Sequence, residues 1–184
     1  MNLAQNLKNT IIKLNFPQIV NLIIIGEKKS AVEKIYMQDP AQFNSCLAKQ
    51  HKVQLLFDTS VTPIQKYEKI IELGRELTPY PALFKTPDRL VKGCQSTMYL
   101  YAELTQGKIH FHAFSEALIS AGLAALLLAV YNGETPDVIL TCPPRFLEEL
   151  GIHDSLSPSR SNGLASLFQR MKKEALDFLI QKNI

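Results

Sequence analysis

The clearest alternation of apolar and polar positions begins at Met98. Met98, Leu100, Ala102 and Leu104 point one way and Tyr99, Tyr101 and Glu103 the other, the period-two signature of a strand. After Gln106-Gly107 the run Lys108 to Phe114 alternates again, with Ile109, Phe111 and Ala113 opposite His110 and His112, so the two runs predict a β-hairpin. Upstream, Ile64, Tyr67, Ile70, Ile71 and Leu77 recur at helical spacing against a wet side of Lys66, Glu68, Lys69, Glu72, Arg75 and Glu76. Thr62-Pro63-Ile64-Gln65 supplies that helix with an N-cap, a first-turn proline and a capping box. Gly74 falls on or near its packed side, where it lets another element approach closely. Downstream, Ala117 to Tyr131 is apolar almost all round and predicts a helix held between the sheet and other helices, capped by Ser115 and stopped by a left-handed Gly133.

Prolines at Pro79, Pro81 and Pro87 break regular structure, so Thr78 to Lys92 reads as a surface loop leading to Gly93 and Cys94. A short helix is expected from about Pro144 to Gly151. Ser157-Pro158 opens the last one, with Leu164, Leu167, Phe168, Met171, Leu176 and Leu179 in amphipathic period. Strands adjacent in sequence with the helices segregated from them, and no alternating βαβ pattern, give an α+β class: a small antiparallel sheet with helices packed on one side. Before Ser60 the pattern is weaker. Leu3 to Leu14 reads as a helix, Ile19 to Ile25 as a strand or buried helical turn, Ser30 to Gln50 as one or two helices and Val53 to Phe57 as a short strand. The expected division is therefore an N-terminal extension of residues 1–61 and a domain of residues 62–184.

Composition narrows the function classes. In 184 residues, 46% hydrophobic and 20% charged, a soluble globular core is expected rather than disorder or a long coiled coil. The net charge of +3 is spread along the chain without a basic block, which argues against a nucleic-acid footprint. Three separated cysteines, Cys46, Cys94 and Cys142, form no CxxC pair, so neither a disulfide framework nor a structural zinc site is expected, and a reducing cytoplasm fits. The start of the chain shows no secretory pattern, and Ala117 to Tyr131 is shorter than the roughly 20 residues that cross a bilayer.

Gly93-Cys94-Gln95-Ser96 is the segment with candidate chemistry. A lone cysteine is commonly a small buried hydrophobe, but Lys92, Gln95 and Ser96 make an apolar burial less expected here, and Arg89 and Lys92 are placed to favour the thiolate that attacks sulfur. Cys46 and Cys142 lack such a setting and read as packing, with Cys142 partly exposed before Pro143-Pro144. His110 and His112 share a strand face but have no companion ligand cluster, so two exposed histidines are expected rather than a metal pair. Phosphate loops, HExxH and GxSxG are absent from the sequence.

Asp88-Arg89-Leu90-Val91-Lys92-Gly93-Cys94-Gln95-Ser96 resembles the signature of the SufE family. Tyr67 to Leu77, Ser115-Glu116-Ala117-Leu118-Ile119 with Gly122-Leu123, and Leu150-Gly151 with Leu156 to Leu164 resemble further family blocks in the same order. Departures are Asp88 where the family often has asparagine, Glu116 where aspartate is usual, and Tyr99 to Tyr101 where tryptophan is common. The resemblance implies an α+β fold shared with IscU-type scaffolds and Cys94 as a persulfide-forming sulfur acceptor. It also implies a SufS-type cysteine desulfurase as donor and a SufBCD-type scaffold complex as recipient. No cofactor is implied for this chain, any pyridoxal phosphate belonging to the desulfurase, and the chain would act as an accessory sulfurtransferase-like protein, monomeric or homodimeric. Arg89, Lys92, Gly93, Gln95, Ser96 and Arg160 would support the loop or face the partner, although Arg160 by physics alone is equally an exposed helix residue. Two rivals stay open: an IscU-like metal or cluster scaffold, and a non-catalytic docking module in which the extension acts.

Overall fold

The computed structural model describes residues 40–60, 62–152 and 156–182. The helix and strand readings before residue 40 lie outside these. The chain divides into a unit of Met1–Asn44, of which a 3-10 turn at Pro40–Phe43 is described, and a compact unit of Ser45–Ile184. The elements are helix α1 (Asn44–Leu55), α2 (Pro63–Arg75), strands β1 (Met98–Thr105) and β2 (Lys108–Ser115), then α3 (Leu118–Tyr131), α4 (Pro136–Thr141), α5 (Arg145–Glu149) and α6 (Pro158–Lys182).

The hairpin forms as its alternation predicts. β1 and β2 pair antiparallel from Met98 opposite Ser115 to Thr105 opposite Lys108. Gln106 and Gly107, at φ 52° and 76°, supply the two left-handed residues that a tight hairpin turn matching strand twist requires. Leu100, Ile109, Phe111 and Ala113 are buried on the inner face, where α3 and α6 cover the sheet. This is the expected α+β layering, with helices on one side of a two-stranded sheet.

Helix α3 is the core element. Leu126, Leu127, Val130 and Tyr131 are fully or almost fully buried, each contributing about 1.5–3 kcal/mol by leaving water. Its closest neighbour is α2, and the contact is backbone on backbone: a Cβ on Gly74 would lie 2.5 Å from the Gly122 nitrogen, and one on Gly122 would lie 1.9 Å from the Ile70 carbonyl oxygen. The α2 capping box is present, Gln65 N–H donating to Thr62 Oγ1 at 3.3 Å and Thr62 N–H to Gln65 Oε1 at 2.9 Å. Ile64, however, is 70% exposed, because the apolar face of α2 is set by Ile70 and begins one turn later. Along α6 the buried stripe is Leu164, Leu167, Met171 and Ala175.

Three expectations need correction. Val53 to Phe57 is not a strand: α1 runs to Leu55 and buries Cys46, Gln50 and Val53, inside the compact unit that begins at Ser45. Ser115 does not cap α3, whose N-cap is Ala117; Ser115 ends β2, its hydroxyl donating to the Thr97 carbonyl at 2.9 Å. Cys142 is buried rather than partly exposed, because α4, which the sequence reading lacked, turns it inward at its C-cap.

Helix α1 is anchored by polar groups. Gln50 Nε2 donates to the Pro143 carbonyl at 2.9 Å, and its Oε1 accepts from Phe146 N–H at 3.2 Å. Glu134, 4% exposed, accepts from Ser45 Oγ at 2.7 Å and pairs with Lys49 at 2.5 Å. Lys49 also caps the Asn132 carbonyl beyond α3. Removing Gln50 would orphan a buried N–H and a carbonyl together, so Gln50→Leu is expected to lower unfolding free energy by about 2–4 kcal/mol in a urea titration. Gly122→Ala drives a methyl group into the α2 backbone, and the same titration should show a loss of about 3 kcal/mol or more, or no folded protein.

Candidate functional site

Cys94 is presented by the short loop 92–97, tied at its base where Val91 N–H donates to the Met98 carbonyl at 2.8 Å. Leu90 bridges Tyr99 on the free edge of β1, so the hairpin holds the approach to the loop in register. Residues 78–90 cross the outer face of the sheet and are fixed there by rings. Tyr80 packs edge-on against Tyr101 at 5.7 Å, Phe84 lies 4.4 Å from Tyr101, and His112 stacks on the same tyrosine at 4.5 Å. Lys85 sits 3.3 Å over the Phe114 ring. These aromatic side chains, assigned by the sequence only to a strand face and a loop, are the structural support of the cysteine.

Inward from the loop lies helix α6. Gly93 has φ +90°, a conformation that L side chains rarely adopt, and a Cβ there would meet Ser166 Oγ at 2.6 Å. The Cys94 thiol donates to the Gly163 carbonyl at 3.4 Å, and a Cβ on Gly163 would stand 3.5 Å from the sulfur. A cavity of about 400 Å³ opens beside the thiol. Its apolar wall includes Ile71 of α2, Leu118 of α3 and Leu164 of α6; Ser120, whose hydroxyl donates to Ser96 at 3.4 Å, and Arg160 add polar groups. Cys94 is itself half-buried.

The electrostatics differ from the expectation. Burial pushes the Cys94 thiol above its ordinary range, favouring the protonated form. Arg89 is engaged elsewhere: its guanidinium lies 4.9 Å over Phe84 and 5.3 Å over Tyr101, with Asp88 at 4.0 Å. Lys92 and Gln95 are exposed on either side of the cysteine. The structure thus brings Cys94, Gln95, Ser96 and Arg160 to one cavity, while Gly93 packs against Ser166 of α6 and Arg89 lies behind the loop. Arg160 is exposed and lies 5.7 Å over the Tyr67 ring.

Gly163 and Ser120 carry site geometry that the sequence reading did not assign. A glycine inside the first turns of α6 was the available signal for Gly163, since such a position trades helix stability for close approach; nothing in the pattern marked Ser120. The two strand histidines are half-buried rather than exposed, His112 bonding Glu103 at 3.2 Å. Among the described residues no group of three or more His, Cys, Asp or Glu side chains is placed to hold a metal ion. Nor, among them, is any helix long and apolar enough to cross a membrane.

Two measurements follow from this geometry. Cys94 should alkylate several-fold more slowly in the native chain than in urea, with a rate that keeps rising through the pH range where a free thiol has levelled off. Gly93→Ala should cost about 1–2 kcal/mol through its left-handed backbone and speed that alkylation by displacing the loop.

Residues 51–175 match the family model described as SufE, Fe-S metabolism associated domain. An uncharacterised SufE-like protein of Synechocystis sp. is 35% identical over 127 residues, covering 69% of this chain and 80% of the relative. The cysteine desulfuration protein SufE of Wigglesworthia glossinidia brevipalpis is 37% identical over 123 residues, 65% of this chain and 85% of its own length. A SufE-like protein 1, chloroplastic/mitochondrial, of Arabidopsis thaliana is 36% identical over 129 residues, 70% of this chain, which spans only 35% of that longer protein. The solution structure of a hypothetical protein from Thermus thermophilus shares the fold, with a TM-score of 0.60 at 23% identity over 72% of this chain and 96% of that one. The match over residues 51–175 takes in the hairpin, the Cys94 loop and the helices around its cavity, and by it the chain belongs to the SufE family.

Proposed function

We propose that Cys94 is the sulfur acceptor of this chain, taking a sulfane sulfur from a SufS-type cysteine desulfurase and releasing it to a SufBCD-type scaffold complex. Membership of a family associated with Fe-S metabolism places the chain in that metabolism, and a relative is named for cysteine desulfuration. The observation that carries the finer reading is the seat of the thiol: a cysteine on a loop tied at its base, half-buried against a cavity of about 400 Å³ with an apolar wall. Such a cavity has room for one more sulfur and limits the access of water and reductants to it.

In the transfer, the Cys94 thiolate attacks the outer sulfur of the donor's persulfide. The sulfur–sulfur bond within the donor breaks, the donor cysteine leaves as a thiolate, and a new sulfur–sulfur bond forms on Cys94 with no net oxidation. Burial holds the resting thiol protonated, so the partner must draw Cys94 into a more polar setting before it reacts. Lys92, Gln95 and Arg160, exposed around the cysteine, form the partner-facing surface; Gly93, Ser96 and Arg89 hold the loop. A reducing compartment such as the cytoplasm suits a free thiol of this kind. The scaffold reading loses support because Cys46 and Cys142 are buried away from the cavity that Cys94 lines.

Intact-mass analysis after incubation with a SufS-type desulfurase and cysteine tests the proposal. Reducible addition of sulfur to the wild type, absent in Cys94→Ser, is the expected result. An unmodified wild type beside an active desulfurase overturns it.

A further inference from the structure

Cys46 and Cys142 are far apart in the sequence and meet inside the protein. Cys46 is 0% and Cys142 3% exposed, one on α1 and the other at the C-cap of α4. A single side chain joins them: Gln50 Nε2 stands 3.7 Å from the Cys46 sulfur and 3.4 Å from the Cys142 sulfur. Two sulfurs held this way by elements so distant in sequence are more than two packing residues, since either alone could be alanine-sized without the shared polar contact. None of Cys46, Gln50 and Cys142 lines the cavity beside Cys94.

We propose that Cys46 and Cys142 are an internal dithiol that a hydroperoxide converts to a disulfide, fastening α1 to the α4–α5 corner. The hydrogen bonds divide the roles. The Gln50 amide N–H lies closer to the Cys142 sulfur, at 3.4 Å against 3.7 Å for Cys46, and so stabilises the Cys142 thiolate more. Cys142 is therefore the nucleophile. Its thiolate attacks one peroxide oxygen; the O–O bond breaks, the other oxygen leaves as water after taking a proton, and Cys142 becomes a sulfenic acid. The Cys46 sulfur then attacks the Cys142 sulfur, the S–O bond breaks, and a second water departs with the Cys46 proton. Two thiols and one hydroperoxide give one disulfide and, with hydrogen peroxide, two waters. Because both sulfurs are buried, the reaction proceeds through local opening of α1 and is slower than oxidation of an exposed thiol.

The product would close a loop of nearly a hundred residues, the geometry in which a cross-link most restricts the unfolded chain. It spans the polar anchor of α1, made by Gln50, Glu134 and Lys49, and reinforces the attachment that local opening would break first.

The test uses the full chain carrying Cys94→Ala, so that only the pair can react. After hydrogen peroxide, the protein is denatured in N-ethylmaleimide, weighed intact and digested without reduction. The expected result is a mass lower by about 2 Da, for the two hydrogens lost, no maleimide uptake until reductant is added, and a cross-linked peptide joining Cys46 to Cys142. The oxidised monomer should also melt several degrees higher, reversed by reductant. Maleimide uptake at both cysteines, oxygen addition without a cross-link, or links only between molecules would overturn the proposal. The peptide map needs no substitution at Cys46 or Cys142, so a variant that fails to fold cannot obscure the answer.

Discussion

The crossing of α2 and α3 at Gly74 and Gly122 is the contact on which the site depends. Side chains at this point would force the helices apart, since a Cβ on either glycine already falls inside the partner's backbone. That separation would pull Ile71 away from Leu118 and Ser120 and open the cavity that shelters the Cys94 thiol. The two glycines cost helix stability, about 1 kcal/mol each relative to alanine. The buried apolar surface of α3, nine residues between Ala121 and Tyr131, offsets it.

From that crossing the hairpin follows as a spacer. Its inner face rests on α3 and α6, and its outer face carries the tyrosines and histidines against which residues 78–90 are laid. Cys94 is therefore positioned from two directions: by aromatic packing behind the loop and by α6 in front, where Gly163 leaves space for sulfur and Ser166 closes on Gly93. A loop held at both ends but resting its reactive atom on a single weak thiol–carbonyl bond can be released locally without unfolding its supports.

Much of this was legible in the sequence because the signals are local. Alternation marked β1 and β2, Thr62-Pro63 with Gln65 marked the start of α2, and Gly74 marked close packing before any partner was known. Cys46, Gln50, Val53 and Phe57 are spaced as one helical face, but the polar Gln50 interrupts the apolar stripe, and the helical reading ends there. Only the tertiary partners of Gln50, which lie more than 90 residues away, reveal why a buried glutamine belongs there. Helix α4 begins with Thr135-Pro136, the same signal as Thr62-Pro63, yet its six residues are too few to show a period. Arg89 illustrates the reverse failure: proximity to Cys94 in sequence suggested electrostatic help, but its guanidinium is taken by two rings on the far side of the loop.

The same distinction separates the three cysteines. Cys94 was identifiable by its neighbours in sequence, and its burial beside a cavity raises the thiol. Cys46 and Cys142 have unremarked sequence neighbours, and their chemistry exists only because α1 and α4 bring them to one amide. Cys94 is thus kept at the mouth of a cavity, whereas Cys46 and Cys142 are fully enclosed. Burial has different consequences in the two places: at Cys94 it favours the protonated thiol, and at Cys46 and Cys142 it ties access to the sulfurs to the stability of the helix that covers them.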